Sequence, residues 1–212
     1  MHYYNSRVVS PHSKFDSLHP SYEEYLSLWE KCRDCYKGEE SVKGRSQRYL
    51  PFLSMQERDE YHNYKSRAIF LNVMKRTIHG LVGAALRKTP IIKVPKKMEL
   101  YIDDMDMHGT SLREMLQNML TDLLITGRVF LILDRIENSR CYAKIYSAES
   151  NINWRFNSNY PIMAVFSEEI DVSEDGFKHE TSNQYRVYDF DDDDNLRVRV
   201  AIESIPEEGE SK

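Results

Sequence analysis

Beginning at Tyr22, large apolar residues return at intervals of three and four: Tyr22, Tyr25, Leu28, Trp29, Cys32, Cys35 and Tyr36. That period predicts a helix with one buried face. Ser21 with Glu24 forms a capping-box pattern at its start, and Gly38 stands where it should end. KGEESVKGRSQRYLP reads as a loop closed by Pro51. A second capping pattern, Ser54 with Glu57, opens a helix predicted to run to about Leu86, with an apolar arc of Tyr61, Tyr64, Ala68, Leu71, Ile78, Val82 and Ala85. Lys75 intrudes on that arc, and Gly80 and Gly83 either permit a close helix approach or mark a kink. After Pro90, an extended IIKVP and a helical turn near LYIDDMD lead to a third capping pattern, Ser111 with Glu114. Leu112, Met115, Leu116, Met119, Leu120 and Leu123 then predict a strongly buried helix, ended by Gly127.

There the period changes. RVFLILDRI (128–136) is a continuous apolar run of strand length, ENSR reads as a turn, and CYAKIYS (141–147) alternates. PIMAVFSEEI follows another turn, EDG marks a further one, and QYRVYDF and LRVRVAI alternate around DDDDN as a hairpin. The fold class is therefore α+β, helices first and antiparallel strands second. The expected organisation is an extended arm at 1–19, a helical region at 20–126, an antiparallel β-rich region at 127–205 and an acidic tail at 206–212.

Composition narrows the class. With 212 residues and 41% hydrophobic content the chain can build a real core. It has no apolar run long enough to span a membrane and no apolar core in its N-terminal stretch of the kind a secretory signal needs. Three cysteines, an odd count, fit a reducing compartment better than a disulfide framework. The expected class is soluble and intracellular.

Charge is unevenly placed. Between Tyr61 and Met98 there are nine Lys and Arg and no Asp or Glu, whereas Ser167 to Lys212 holds fifteen acids and five bases. Separation of sign on this scale describes two surfaces that meet different partners, or each other in an assembly; two solvated faces of unlike sign are the plainer alternative. On one continuous helix, Lys65, Arg76 and Arg87 would lie eleven residues apart, almost three whole turns, and stack into a basic line. Those three are the candidates for contact with a neighbouring subunit or with a DNA backbone.

Two clusters invite a chemical reading. Cys32-x-x-Cys35 is half of a zinc site or a redox dithiol, but zinc needs four ligands, and the other cysteine, Cys141, is about a hundred residues away. A reactive dithiol belongs at a helix N-terminus, whereas these thiols fall near a C-terminus, so core packing is the better reading. Asp103, Asp104 and Asp106 could hold a divalent ion, yet no HxH, EF-hand spacing or strand-borne Glu-x-Lys accompanies them, and a solvated turn is the simpler expectation. The Asp191 to Asp194 run reads as a solvated hairpin tip that discourages edge pairing. No nucleophile elbow, Walker loop or dinucleotide fingerprint is present. The alternatives left open are a metal-dependent enzyme using Asp103, Asp104 and Asp106, or a zinc or redox adaptor using Cys32 and Cys35.

One further likeness runs through residues 19–156. Trp29, Gly38-Glu39-Glu40, Tyr49-Leu50-Pro51, Tyr61, Tyr64, Arg67-Ala68, Asn72, Arg76-Thr77, Gly80-Leu81, Gly83 and Arg87-Lys88 carry its first part. Gly109-Thr110-Ser111-Leu112, Thr126-Gly127-Arg128 and Ala148-Glu149-Ser150-Asn151-Ile152-Asn153-Trp154-Arg155 carry the rest. In combination they resemble the N-terminal region of a tailed-bacteriophage portal (head-to-tail connector) protein, of a branch long catalogued as a domain of unknown function. Where such portals tend to read Gly-Arg-x-Gly-x-Leu-x-Asp before a proline-containing turn, this chain has Phe130 and then Leu133-Asp134-Arg135.

The resemblance implies a wing-like, non-enzymatic subunit of a ring, usually dodecameric, at one capsid vertex of the virion, assembled in the host cytoplasm. Through such a ring double-stranded DNA is packaged and ejected. The implied partners are further copies of the chain, terminase, capsid and head-completion proteins, and DNA held without sequence preference; no cofactor, membrane or small-molecule substrate is implied. Family members are much longer, so the resemblance also implies that stem, clip and crown would lie beyond Lys212.

Overall fold

The computed structural model describes residues 6–9, 14–135, 139–173, 177 and 179–204. The expected acidic tail and the EDG turn lie outside the described residues, as does half of the ENSR turn. Among the described residues the fold is α+β: six helices, then antiparallel sheets of two and four strands. The chain divides into two compact units, a sheet unit of residues 1–24, 136–139 and 146–212, and a helical unit of residues 25–135 and 140–145. The predicted change from helix to strand falls between Thr126 and Val129, but the two strands that follow it belong mainly to the helical unit.

Helix α1 (Tyr22–Lys37) begins where predicted and stops at Gly38, whose φ of 105° is open to glycine at little cost. The Gly38 amide donates to the Asp34 carbonyl at 3.0 Å, satisfying one of the last free acceptors. Trp29 is buried, and Cys32 and Tyr36 pack inward, but Tyr25 and Leu28 of the predicted stripe are 39% and 50% exposed. The predicted loop after Gly38 instead contains α2 (Glu39–Gly44) and a 3-10 turn (Ser46–Arg48). Acids in the first turn of α2, a Lys43–Glu39 pair at 2.7 Å and the buried Val42 favour helix there. Asp34 holds this corner together. Its carboxylate accepts from Ser41 Oγ at 2.7 Å, Tyr49 OH at 2.7 Å and Arg45 Nε at 3.2 Å.

The helix predicted from Ser54 to Leu86 is two helices, α3 (Arg58–Arg67) and α4 (Val73–Ala85). Glu57, not Ser54, is the first cap, in a reciprocal capping box with Glu60. The break has identifiable causes. Lys43 Nζ donates to the Ser66 carbonyl at 2.9 Å near the end of α3, and the Asn72 side chain accepts from the Lys75 amide at 2.8 Å to start α4. Asn72 Nδ2 also donates to the Tyr36 carbonyl at 2.9 Å, and the Glu39 carboxylate accepts from the Phe70 amide. Residues 68–72 thus find tertiary partners that an unbroken helix could not offer.

Short α5 (Leu100–Asp103) precedes α6 (Leu112–Thr126), which starts with Ser111 accepting from the Glu114 amide at 3.2 Å and stops at Gly127, φ 75°. Ile78, Val82 and Ile125 form the helical core, with Cys32, Tyr36, Met74, Leu86 and Leu120 packed around them. Contrary to expectation α6 is only partly covered: Met115 and Ile125 are buried, and Leu123 is 40% exposed.

Strands β2 (Val129–Arg135) and β3 (Cys141–Ser147) form the two-stranded sheet. The apolar run of β2 is not uniformly buried. Leu131 and Leu133 stand exposed while Asp134 is buried, accepting from Tyr142 OH at 3.1 Å.

In the sheet unit, β4 (Asn151–Asn157), β5 (Tyr160–Asp171), β6 (Thr181–Phe190) and β7 (Leu196–Glu203) run antiparallel in that order. β1 (Ser6–Val9), inside the expected arm, adds parallel to β7 with Ser6 opposite Val200. Strand β4 was not expected. A register shift between Asn151 and Asn153 is bridged by the buried Asn151 side chain, whose Nδ2 donates to Val165 O at 3.1 Å and Asn153 O at 3.2 Å. The core comprises Phe166, Val165, Val187, Tyr185, Val200, Ala201, Tyr146 and Ala148.

Candidate functional site

Helix α4 shows an unusual distribution of side chains. Its inward side is Ile78 and Val82, flanked by Met74 and Leu86. A surface helix ordinarily places charged and polar residues on the opposite side. Here that side carries Val73, Thr77, Gly80, Leu81, Gly83 and Ala84, interrupted by Arg76. Val73 and Leu81 are 58% and 52% exposed. Added Cβ atoms at Gly80 and Gly83 would meet nothing within 4 Å, and α4 runs unbroken through both. Neither of the two alternatives expected of them, a close approach or a kink, occurs among the described residues.

The apolar character continues past the helix start, where Leu71 and Ile69 are largely solvent-facing, and Ile91 follows beyond its end. Leu71, Asn72, Val73, Arg76, Thr77, Gly80 and Leu81 line an open groove along this side. Arg76 is exposed and has no hydrogen bond or ion pair among the described residues.

The predicted basic line does not exist as one helix face. Lys65 lies on α3, with Nζ donating to Ser46 Oγ at 2.9 Å; Arg76 lies on α4; Arg87 follows the C-cap Leu86. The break at 68–72 removes the regular spacing on which the line depended.

The two chemical clusters take structural places. Cys32 packs on the Ile78–Val82–Ile125 core, and Cys35 lines a small apolar recess with Val42, Tyr49 and Ala68. Burial, with the neighbouring Cys32 and Asp34, pushes the Cys35 thiol up, away from the reactive thiolate. Asp104 pairs with Arg140 and accepts from the Gly109 amide at 2.9 Å. Asp106 accepts from the His108 and Thr110 amides at 2.9 and 3.1 Å. Burial opposes ionisation of Asp106, but Thr110 and these amides outweigh it and lower its pKa to about 2. Asp103 is exposed, and among the described residues no group of three His, Cys, Asp or Glu could hold a metal ion.

The acidic end is partly neutralised from within. Asp189 receives a bidentate pair from Arg197, both contacts 2.9 Å, and a further contact from Arg199. Glu168 pairs with Arg186 at 3.0 Å and accepts from the buried Tyr146 hydroxyl. Four acids in a row, Asp191 to Asp194, stand at the β6–β7 turn. Asp191 is consumed by that turn, Oδ1 accepting from the Asp193 and Asn195 amides at 3.0 and 2.8 Å. Asp192, Asp193 and Asp194 are exposed beside Phe190 and Leu196, a cross-strand pair that is itself 41% and 62% exposed.

The residues Ala148 to Arg155 organise the start of the sheet unit. Trp154 stacks on His19 with ring centroids 4.0 Å apart, Asn153 Nδ2 donates to Ser17 O at 2.8 Å, and Tyr22 OH donates to Glu149 O at 2.7 Å. In the helical unit Arg128 lies over Tyr25 and Trp29, 5.4 and 5.5 Å from the ring centroids. Sequence reading missed the outward apolar side of α4. Its signal was present: Val73, Leu81 and Ala84 are apolar, and Gly80 and Gly83 are small, on the side away from Ile78 and Val82. Among the described residues no helix is long and apolar enough to cross a membrane. No known protein-family model matches the chain, and no curated protein matches it.

Proposed function

We propose that this chain is the N-terminal part of a phage portal subunit: a structural, non-enzymatic element of a ring at the capsid vertex, through which double-stranded DNA passes. Terminase, capsid and head-completion proteins are the other partners of this reading. The observation that supports it, beside the motif resemblance, is the two-sided apolar character of α4. A helix with apolar residues on both sides is stable in water only when the second side is covered as well. A subunit that spends its working life against neighbours meets that requirement.

Native mass spectrometry and negative-stain electron microscopy of the purified chain, over a range of concentrations, test the proposal. Closed cyclic assemblies are the expected result. A chain that stays monomeric, or that forms only dimers, at every concentration would overturn it.

A further inference from the structure

The outward side of α4 needs an occupant, and the chemistry of its groove narrows the choice. Of the seven residues along it, five are apolar, small or hydroxylic, Asn72 is engaged by the Tyr36 carbonyl and the Lys75 amide, and one, Arg76, is charged. A nucleic acid backbone requires several cations in register, so this groove is poorly made for phosphate. It suits a partner with a modest apolar surface, at least one carboxylate and a shape narrow enough to approach the helix backbone at Gly80 and Gly83. The whole stretch from Tyr61 to Met98 contains no acid, so the groove offers no repulsion to a carboxylate from its own segment.

The chain itself carries a surface of that kind. The β6–β7 turn presents Asp192, Asp193 and Asp194, with the exposed Phe190 and Leu196 side by side at its base. The Asp193 and Asp194 carboxylates have no hydrogen bond or ion pair among the described residues. Two strands are only about 5 Å apart, which makes a hairpin tip a narrow wedge.

The geometry points to a head-to-tail contact between two copies of this chain, in which the β6–β7 tip of one enters the α4 groove of the next. Phe190 and Leu196 cover Val73, Leu81 and the glycine side of the helix, and the Asp192–Asp193 carboxylates meet Arg76. Groove and tip are different surfaces, so the contact is heterologous; repeated, it generates a ring if its rotation closes. The inference deepens the ring-subunit reading by naming one interface, and it can hold or fail separately from that reading.

Charge exchange tests it by sedimentation velocity of the whole chain. Arg76→Glu alone, or Asp192→Lys with Asp193→Lys alone, should weaken self-association at least about tenfold, because like charges then face each other. The three changes together should restore association. All the altered residues are exposed, and circular dichroism of each variant establishes that the fold is kept.

If the reversals leave assembly unchanged, this contact is wrong and the ring reading is untouched. Loss with Arg76→Glu but not with the aspartate changes gives the groove to another occupant and also overturns the pairing. A charge-sensitive association that stops at a dimer keeps the contact and removes the ring. A monomer at all concentrations removes both.

Discussion

In the sheet unit large apolar side chains are mostly used internally; in the helical unit most of them are not. Among the described residues, the sheet unit buries ten apolar side chains and leaves six large ones exposed, whereas the helical unit buries seven and leaves seventeen exposed. Charges do not follow that division. The helical unit pairs Arg33 with Asp122, Arg48 with Glu30 and Arg140 with Asp104, much as the sheet unit pairs Asp189 and Glu168 with Arg197, Arg199 and Arg186. Apolar burial is the main favourable term in folding, so the helical unit must lean more on hydrogen-bonded corners such as Asp34. Unsatisfied apolar area on that scale is what an interface looks like before its partner arrives.

Three substitutions probe the contrast. The largest effect belongs to Phe166→Ala, since Phe166 is fully buried between the rings of Tyr146 and Tyr188. It should lower the stability of the sheet unit by about 3–5 kcal/mol in urea denaturation. A loss below about 1 kcal/mol would mean that the sheet unit is no tighter than the helical one.

Next comes Asp34→Asn, expected to cost the helical unit about 1–3 kcal/mol at neutral pH because Arg45, Tyr49 and Ser41 lose a charged acceptor. Burial pushes the Asp34 pKa up, but Ser41, Tyr49 and Arg45 together hold it below the ordinary carboxylate value. The unfolded chain therefore binds this proton first as pH falls. The stabilisation is complete above the unfolded carboxylate pKa of about 3.9 and is lost as pH drops through the lower folded value. Stability measured against pH should fall less steeply on acidification in Asp34→Asn than in the native chain; parallel curves would remove Asp34 from the acid sensitivity.

The smallest effect separates folding from assembly. Gly80→Ala adds a methyl group into open space within a helix, so it should stabilise the monomer by about 0.5–1 kcal/mol. The same methyl group should weaken self-association, because it thickens the side of α4 that a neighbour approaches. A higher melting temperature with undiminished association would show that this side stays open.

Much of the architecture was legible because local and tertiary preferences agree. Gly38, Gly127 and Ser111 terminate or start helices by backbone chemistry that needs no distant partner, and the strands of the β6–β7 hairpin alternate around a run of aspartates. Legibility failed where distant groups decide. The break before α4 depends on Lys43, Glu39 and the Tyr36 carbonyl, none of them close in sequence to residues 68–72. β2 looked uniformly buried because Leu131 and Leu133 resemble core residues, whereas the pleat turns Asp134 inward instead. β4 was legible and was missed, since Asn151 to Asn157 alternate polar and apolar at the strand period; only the bulge at the buried Asn151 depends on a distant carbonyl of β5. The candidate surface was hidden for a related reason. An apolar helix face reads alike whether its own chain or a neighbour covers it.

The pairing of β1 with β7 has a consequence in time. Ser6 leaves the ribosome early, yet its partner Val200 is made nearly two hundred residues later. At roughly 5–20 residues per second, the first strand waits about 10–40 s for its hydrogen-bonding edge. Late in that interval residues 25–135 and 140–145 are complete and able to fold, while the sheet is missing the strand that would pair with its first one. A nascent chain interrupted before β7 therefore carries a finished helical unit with its apolar surface exposed and an unpaired strand at its tip. That is the stage at which this protein most needs a chaperone, and slowing translation just before β7 should raise aggregation more than slowing it near the start.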